Sequence, residues 1–155
     1  MSNGNKYWYF NGKLHRLDGP AIELSNGNKY WYVNDKLHRT NGSAVELANG
    51  DKEWYNKGKL HRLDGPAVIR SYGDKYWCKN GKYHRTDGPA IEYVDGGKMW
   101  YLNGKLHRED GPALERVNNI YVNDDKEWFL NGKHHRLDGP AIELSLIHIS
   151  EPTRP

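Results

Sequence analysis

A string of 23 residues recurs six times along this 155-residue chain, and no other feature constrains the fold as strongly. One copy reads NKYWYFNGKLHRLDGPAIELSNG, from Asn5 to Gly27. Trp8, Trp31, Trp54, Trp77 and Trp100 stand 23 apart, and Trp128 follows after 28. A His-Arg pair keeps the same beat at His15-Arg16, His38-Arg39, His61-Arg62, His84-Arg85, His107-Arg108 and His135-Arg136. A fixed period of this length belongs to arrays in which each unit buries its apolar face against its neighbours.

The register rescues a composition that otherwise argues against folding. Hydrophobic residues make up 36%, mean hydropathy is -0.99, and there are 17 Gly and 7 Pro. In a non-repeating chain such polarity points to disorder. Here six Trp and eleven Tyr in register supply a distributed core, with the tryptophans as its predicted centres. The net charge of +3 comes from 23 Lys and Arg against 20 Asp and Glu, interleaved in every copy. Nucleic acid, which selects clustered basic residues, is therefore not an expected partner.

Cys78 is the only cysteine, which excludes an intrachain disulfide and favours a reducing, cytoplasmic location. The opening MSNGNKYWYF lacks a basic n-region and an apolar h-region, so no secretory leader is expected. No apolar run approaches the ~20 residues that span a bilayer. The pattern stops abruptly after Glu143. Leu144 to Pro155 (LSLIHISEPTRP) resemble the translation of a sequencing-library transposase adaptor and are read as foreign to the array. Residues 1–143 are then one repeat domain, with copies starting near 5, 28, 51, 74, 97 and 125, and six copies are a minimum.

Within a copy, Asn11-Gly12 between two short alternating segments is a strong signal for a type I′ hairpin. A two-residue loop pairs Phe10 with Lys13, Tyr9 with Leu14, Trp8 with His15 and Tyr7 with Arg16. Opposed residues share a face, so Trp8 and His15 lie on one side and Tyr9 and Leu14 on the other. Asp18-Gly19-Pro20 turns the chain into a further strand, Ala21 to Leu24. A second tight turn at Asn26-Gly27 is expected to set Ile22 opposite Trp31 and stitch one copy to the next. The fold class is all-β, six antiparallel hairpin or meander repeats of 23 residues.

An aromatic, then NGK, then His two residues on, at a 23-residue period, resembles MORN-type repeats and their bacterial relatives. The longer string NGKxHRxDGPA resembles an uncharacterised repeat class of phages, giant viruses and bacteria, itself similar to the β-flower, a shallow closed barrel with radiating hairpins. For a viral source the resemblance implies the host cytoplasm. The chain departs from the MORN pattern His-Gly-x-Gly: Arg16 and Asp18 stand there instead, and Pro20 follows the glycine. The first and last copies are among the most regular, where an open array would carry polar caps. Ala141-Ile142-Glu143 is therefore expected to pair with Lys6-Tyr7-Trp8, closing a shallow barrel or toroid in preference to an open MORN-like solenoid.

The chemical-looking feature is His-Arg-x-Asp, intact in five copies, with Asn41 in place of the Asp in the second. Such a cluster can bind phosphate or run acid–base chemistry. The twelve His and Arg residues named above are accordingly the candidate ligand-binding set, for an anion, a small metabolite or a lipid headgroup. Sixfold recurrence at fold-determining positions favours a structural network instead, with Asp18 bonded to its own turn and Arg16, and His15 packed on Trp8. Histidines 23 apart lack metal-site spacing, so no metal and no cofactor are expected. The Lys6 and Lys13 positions read as edge protection ahead of a charged rim for anions. No phosphate loop, triad order or reactive-thiol context occurs, so an enzyme is not expected.

Differences between copies point elsewhere. The fifth carries a five-residue insertion within Val117 to Asp124, read as a longer hairpin bearing Ile120 and Val122. It is the best single candidate for a partner-binding spot. The preferred reading is a non-enzymatic structural or protein-interaction module with another protein as partner. Peripheral membrane contact has weak support.

Overall fold

The computed structural model describes residues 4–118 and 123–144. Every regular element among them is a strand, and the 24 strands fall into six sets of four. The first copy holds β1 (Lys6–Tyr7), β2 (Tyr9–Phe10), β3 (Lys13–Leu14) and β4 (Ile22–Glu23). The second repeats them as β5 (Lys29–Tyr30), β6 (Tyr32–Val33), β7 (Lys36–Leu37) and β8 (Val45–Glu46). The rest contribute β9–β12 (residues 52–69), β13–β16 (75–92), β17–β20 (98–118) and β21–β24 (123–143).

First and fourth strands of every copy line up in one 12-stranded antiparallel ladder, running from β1 through β4, β5 and β8 to β24. Second and third strands form six separate two-stranded hairpins. The hairpin turns are as expected. Asn11 (φ 48°) and Gly12 (φ 73°) both lie in the left-handed region that a type I′ turn demands, and Tyr9 faces Leu14 while Phe10 faces Lys13. The expected Tyr7–Arg16 pairing is not made: the Arg16 N–H leaves its hairpin and donates to the Tyr32 carbonyl of the next copy at 3.1 Å. Hairpins are thereby bonded to one another along the array, as the ladder strands are.

The turn between copies is not the expected one. Ile22 faces Tyr30 and Glu23 faces Lys29, so the register differs by one residue from the Ile22–Trp31 pairing. Leu24 and Asn28 close a three-residue loop, with the Gly27 N–H donating back to the Leu24 carbonyl at 2.9 Å. The Asn26 side chain accepts the Asn28 N–H at 3.0 Å, a bond that holds Asn26 out of the left-handed region and leaves only Gly27 (φ 91°) there.

Because opposed residues share a face, Ile22, Tyr30 and Val45 line one side of the ladder, and Lys29 alternates with Glu23 and Glu46 on the other. The apolar side lies against the hairpins, as where Tyr83 meets Tyr76 with ring centroids 6.2 Å apart. Val45, Val68, Ile91 and Leu114 are buried there. So are Ala21, Ala44, Ala67, Ala90 and Ala113, all completely. Each of these alanines bridges two copies. Ala21 accepts from Trp8 N–H at 2.9 Å and donates to the Tyr30 carbonyl at 2.8 Å. The Lys–Glu side is consistent with the solubility reading of the lysines.

The expected ring closure is not seen. Among the described residues β1 pairs only with β4, and β24 (Ile142–Glu143) only with β21 (Asn123–Glu127), so the ladder has two ends. Tyr7 and Ile142 are 47% and 45% exposed there, whereas Ile91 in mid-array is 3% exposed. In the fifth copy β20 (Leu114–Asn118) and β21 pair over five residues each, forming the longer hairpin that the insertion implies. Its Ile120 and Val122 lie outside the described residues, as does the tail beyond Leu144.

Candidate functional site

In all six copies the arginine of His-Arg-x-Asp lies over the tryptophan of its own copy. Guanidinium carbons of Arg16, Arg39, Arg62, Arg85, Arg108 and Arg136 sit 3.9–4.2 Å from the ring centres of Trp8, Trp31, Trp54, Trp77, Trp100 and Trp128. This corrects the expected His15–Trp8 packing. Backbone pairing does place the two opposite, with the His15 N–H on the Trp8 carbonyl, but the ring face is taken by Arg16, whose backbone has been pulled onward to Tyr32.

The DGPA string follows from that placement. Arg85 Nε donates to Asp87 at 3.0 Å, and its Nη1 donates to the Pro89 carbonyl at 3.2 Å and to Glu92 at 2.9 Å. Gly88 is needed for room: a Cβ there would stand 3.0 Å from the Arg85 guanidinium carbon. The copies vary the theme where their residues vary. Arg39 has Asn41 in place of Asp and keeps the other two acceptors, the Ser43 carbonyl and Glu46. In the third copy Ile69 replaces the Glu, and Arg70 meets Glu53 and Asp51. The arginine hydrogen bond, foremost, holds Asp18, Asp64, Asp87, Asp110 and Asp138 below the ordinary carboxylate range.

The histidines reach forward. Nδ1 of His38, His61, His84 and His107 accepts the backbone N–H of Lys57, Asn80, Asn103 and Asn131, at 3.1–3.3 Å. Each acceptor nitrogen is thus unprotonated, and the other ring nitrogen carries the hydrogen. His15 bonds the Asn34 side chain instead, and His135, in the last copy, is exposed.

The twelve candidate residues therefore form a row along the array and do not converge on an axis. Between successive copies the row opens into clefts of about 500–690 Å3, four of them outlined among the described residues. Each is walled by the Arg of two neighbouring copies and by the Trp and His of the later one. At the lips of the four outlined clefts stands the x residue of His-Arg-x-Asp, as Thr40, Leu63, Thr86, Glu109 and Leu137, a position outside the candidate set. Leu17, Leu63 and Leu137 are 81%, 76% and 91% exposed. Their signal is in the sequence: between the fixed His-Arg and the nearly fixed Asp-Gly, x changes freely, as Leu, Thr, Leu, Thr, Glu and Leu.

Cys78 replaces an aromatic in the hairpin layer and is buried, and that burial pushes its thiol up to about 11. It is a core residue. Among the described residues no group of three or more His, Cys, Asp or Glu side chains could hold a metal ion, and no helix is long and apolar enough to cross a membrane. The chain matches no protein-family model and no curated protein.

Proposed function

We propose that this chain is a non-enzymatic repeat scaffold whose clefted face is a protein-interaction surface. The observation that supports it is the use already made of the His-Arg-x-Asp groups. Arginine donors are bonded to Asp, a proline carbonyl and Glu, and histidine acceptors to the following copy, so the motif fastens the array together. What faces solvent is the row of lip residues, apolar in three copies and different in the others. That is the part free to encode a partner. Its hairpin repeat is compatible with MORN-like arrays, and the string NGKxHRxDGPA supports a reading nearer the β-flower-like class. The single buried thiol agrees with a reducing, cytoplasmic setting.

Selection of peptides from a random library against the chain tests the reading. Ligands of the clefted face should lose binding to a Leu17→Asp, Leu63→Asp, Leu137→Asp variant that keeps its thermal transition. No recovered ligands, or ligands indifferent to the three changes, would overturn it. Calorimetric titration with phosphate, inositol phosphates and anionic vesicles tests the rival anion- or headgroup-binding reading. Saturable heat lost in Arg85→Gln would favour that rival.

A further inference from the structure

We infer that the row of clefts takes one extended peptide in the polyproline II conformation, every third residue facing the row, apolar where Leu63 forms the lip and basic where Glu109 does. The inference rests on the interaction reading above and adds the partner's form, spacing and charge.

The pitch of the array sets the form. Each copy contributes two strands to the ladder and two to the hairpin layer, and adjacent hairpins are bonded to each other, as by the Gly81 N–H on the Leu60 carbonyl at 2.8 Å. Two strand spacings place successive clefts about 9.6 Å apart. The insertion in the fifth copy leaves the hairpin row intact. The Arg108 N–H donates to the Phe129 carbonyl at 3.1 Å, as the Arg85 N–H does to the Tyr101 carbonyl. A polyproline II chain presents the same face every three residues, or about 9.3 Å, so over four clefts it drifts by only about 1 Å. An α-helix returns its face after two turns, at about 10.5 Å, and drifts by about 3 Å. A β-strand returns its face at about 6.7 or 13.4 Å and matches no step.

The lips set the side chains. Leu63, 76% exposed, borders the cleft between the second and third copies and also the one between the third and fourth. In neither do carboxylates outnumber the arginines and Lys79 that share the walls. Glu109, its side chain 82% exposed, borders the next two clefts. There three carboxylates, Glu109 with Asp110 and either Asp87 or Asp138, face two arginines. The same arginines are already bonded within their copies to Glu92, Glu115 and Glu143, so negative charge at these lips is in surplus. The row thus changes at Thr86 from an apolar, charge-balanced half to an acidic one. Complementary charge across such a surface fixes register and excludes like-charged partners, and a preformed polyproline II segment loses little entropy on docking.

Fluorescence anisotropy of the full chain with labelled PPLPPLPPRPPR, and with its reverse RPPRPPLPPLPP, tests this. One of the two should bind saturably, one peptide per chain. Adding a proline to every interval keeps the side chains but turns successive ones by a third of a turn, and should weaken binding by about tenfold or more. Leu63→Asp should weaken it about tenfold and Glu109→Lys about fivefold or more. Both residues are exposed, so each variant should keep its thermal transition. With glutamate in place of its two arginines, the peptide should bind Glu109→Lys more tightly than the parent.

Saturable binding of neither peptide overturns the inference. So does equal binding of the wider-spaced peptides, or a glutamate peptide indifferent to Glu109→Lys. Should a variant not fold, the peptides on the parent decide, because spacing and charge are both varied in the ligand. Selection from the random library separates this failure from that of the interaction reading. Selected ligands that need Leu63 but carry no three-residue spacing leave that reading standing and sink this inference; an empty selection with silent probes sinks both.

Discussion

Arg85 lies over the face of Trp77, its guanidinium carbon 4.1 Å from the ring centre, and from there reaches three acceptors in its own copy. A planar cation on an aromatic face, with Nε and Nη1 bonded at its edge, joins ring contact to directional bonding in a way an ammonium cannot. The sixfold recurrence of the arginine over the tryptophan makes the arginine the centre of each copy.

Arg85→Lys should therefore destabilise the fold although the charge is kept. The expected loss is about 2 kcal/mol, from the stack and from the fork of bonds to Asp87, Pro89 and Glu92. Thr86→Ala, at the neighbouring exposed lip position, should stay within about 0.5 kcal/mol. Urea unfolding of the two variants checks the contrast.

Gly65→Ala should act through Trp54. The glycine has no left-handed φ, so its role is room: a Cβ would lie 3.1 Å from the Arg62 guanidinium carbon. Displacing Arg62 uncovers the indole, with an expected cost of about 1–3 kcal/mol and a red shift in tryptophan emission. Made in a Trp54→Phe background, the same substitution should lose the spectral change.

How much of this could be read beforehand depends on where each determinant lies. Asn11-Gly12 announced its hairpin because both positive φ values and the flanking alternation are local. The same dipeptide at Asn26-Gly27 makes a different turn, since the Asn26 side chain bonds the Asn28 N–H and selects a three-residue loop. Counting pairs across one hairpin put His15 beside Trp8. It could not show that the Arg16 N–H bonds Tyr32 in the following copy and so brings its own side chain over the indole. Closure was inferred from the regularity of the end copies, but regular ends leave complementary edges whether or not they meet.

Acid should weaken the array. Five motif aspartates are held below their ordinary value of 3.8, chiefly by the arginine two residues earlier. A depressed folded-state value means that the stabilisation is complete above the unfolded value and is lost as pH falls through the folded one. Urea midpoints should then hold from about pH 6 to pH 5 and fall below about pH 4. Asp64→Asn with Asp87→Asn should flatten that acid limb, because the amide accepts the same arginine bond without titrating.

Cys78 should be silent toward thiol reagents in the native protein. It is 2% exposed and its thiol is pushed up to about 11 by burial, so neither access nor thiolate is available near neutrality. Labelling with an aromatic disulfide should run at least about 100-fold slower than in urea, at a rate set by opening of the fourth copy. Prompt native labelling would contradict the packing of the hairpin layer.

The forward reach of the histidines gives the chain a direction in time. His61 finds its acceptor role only when Asn80, nineteen residues later, is in place, and the Arg62 N–H waits for Cys78 in the same way. On the ribosome a copy thus emerges incomplete and is fastened only as its successor follows. Consolidation trails synthesis by one repeat, and a stalled chain carries its unfinished hairpin contacts in its last copy.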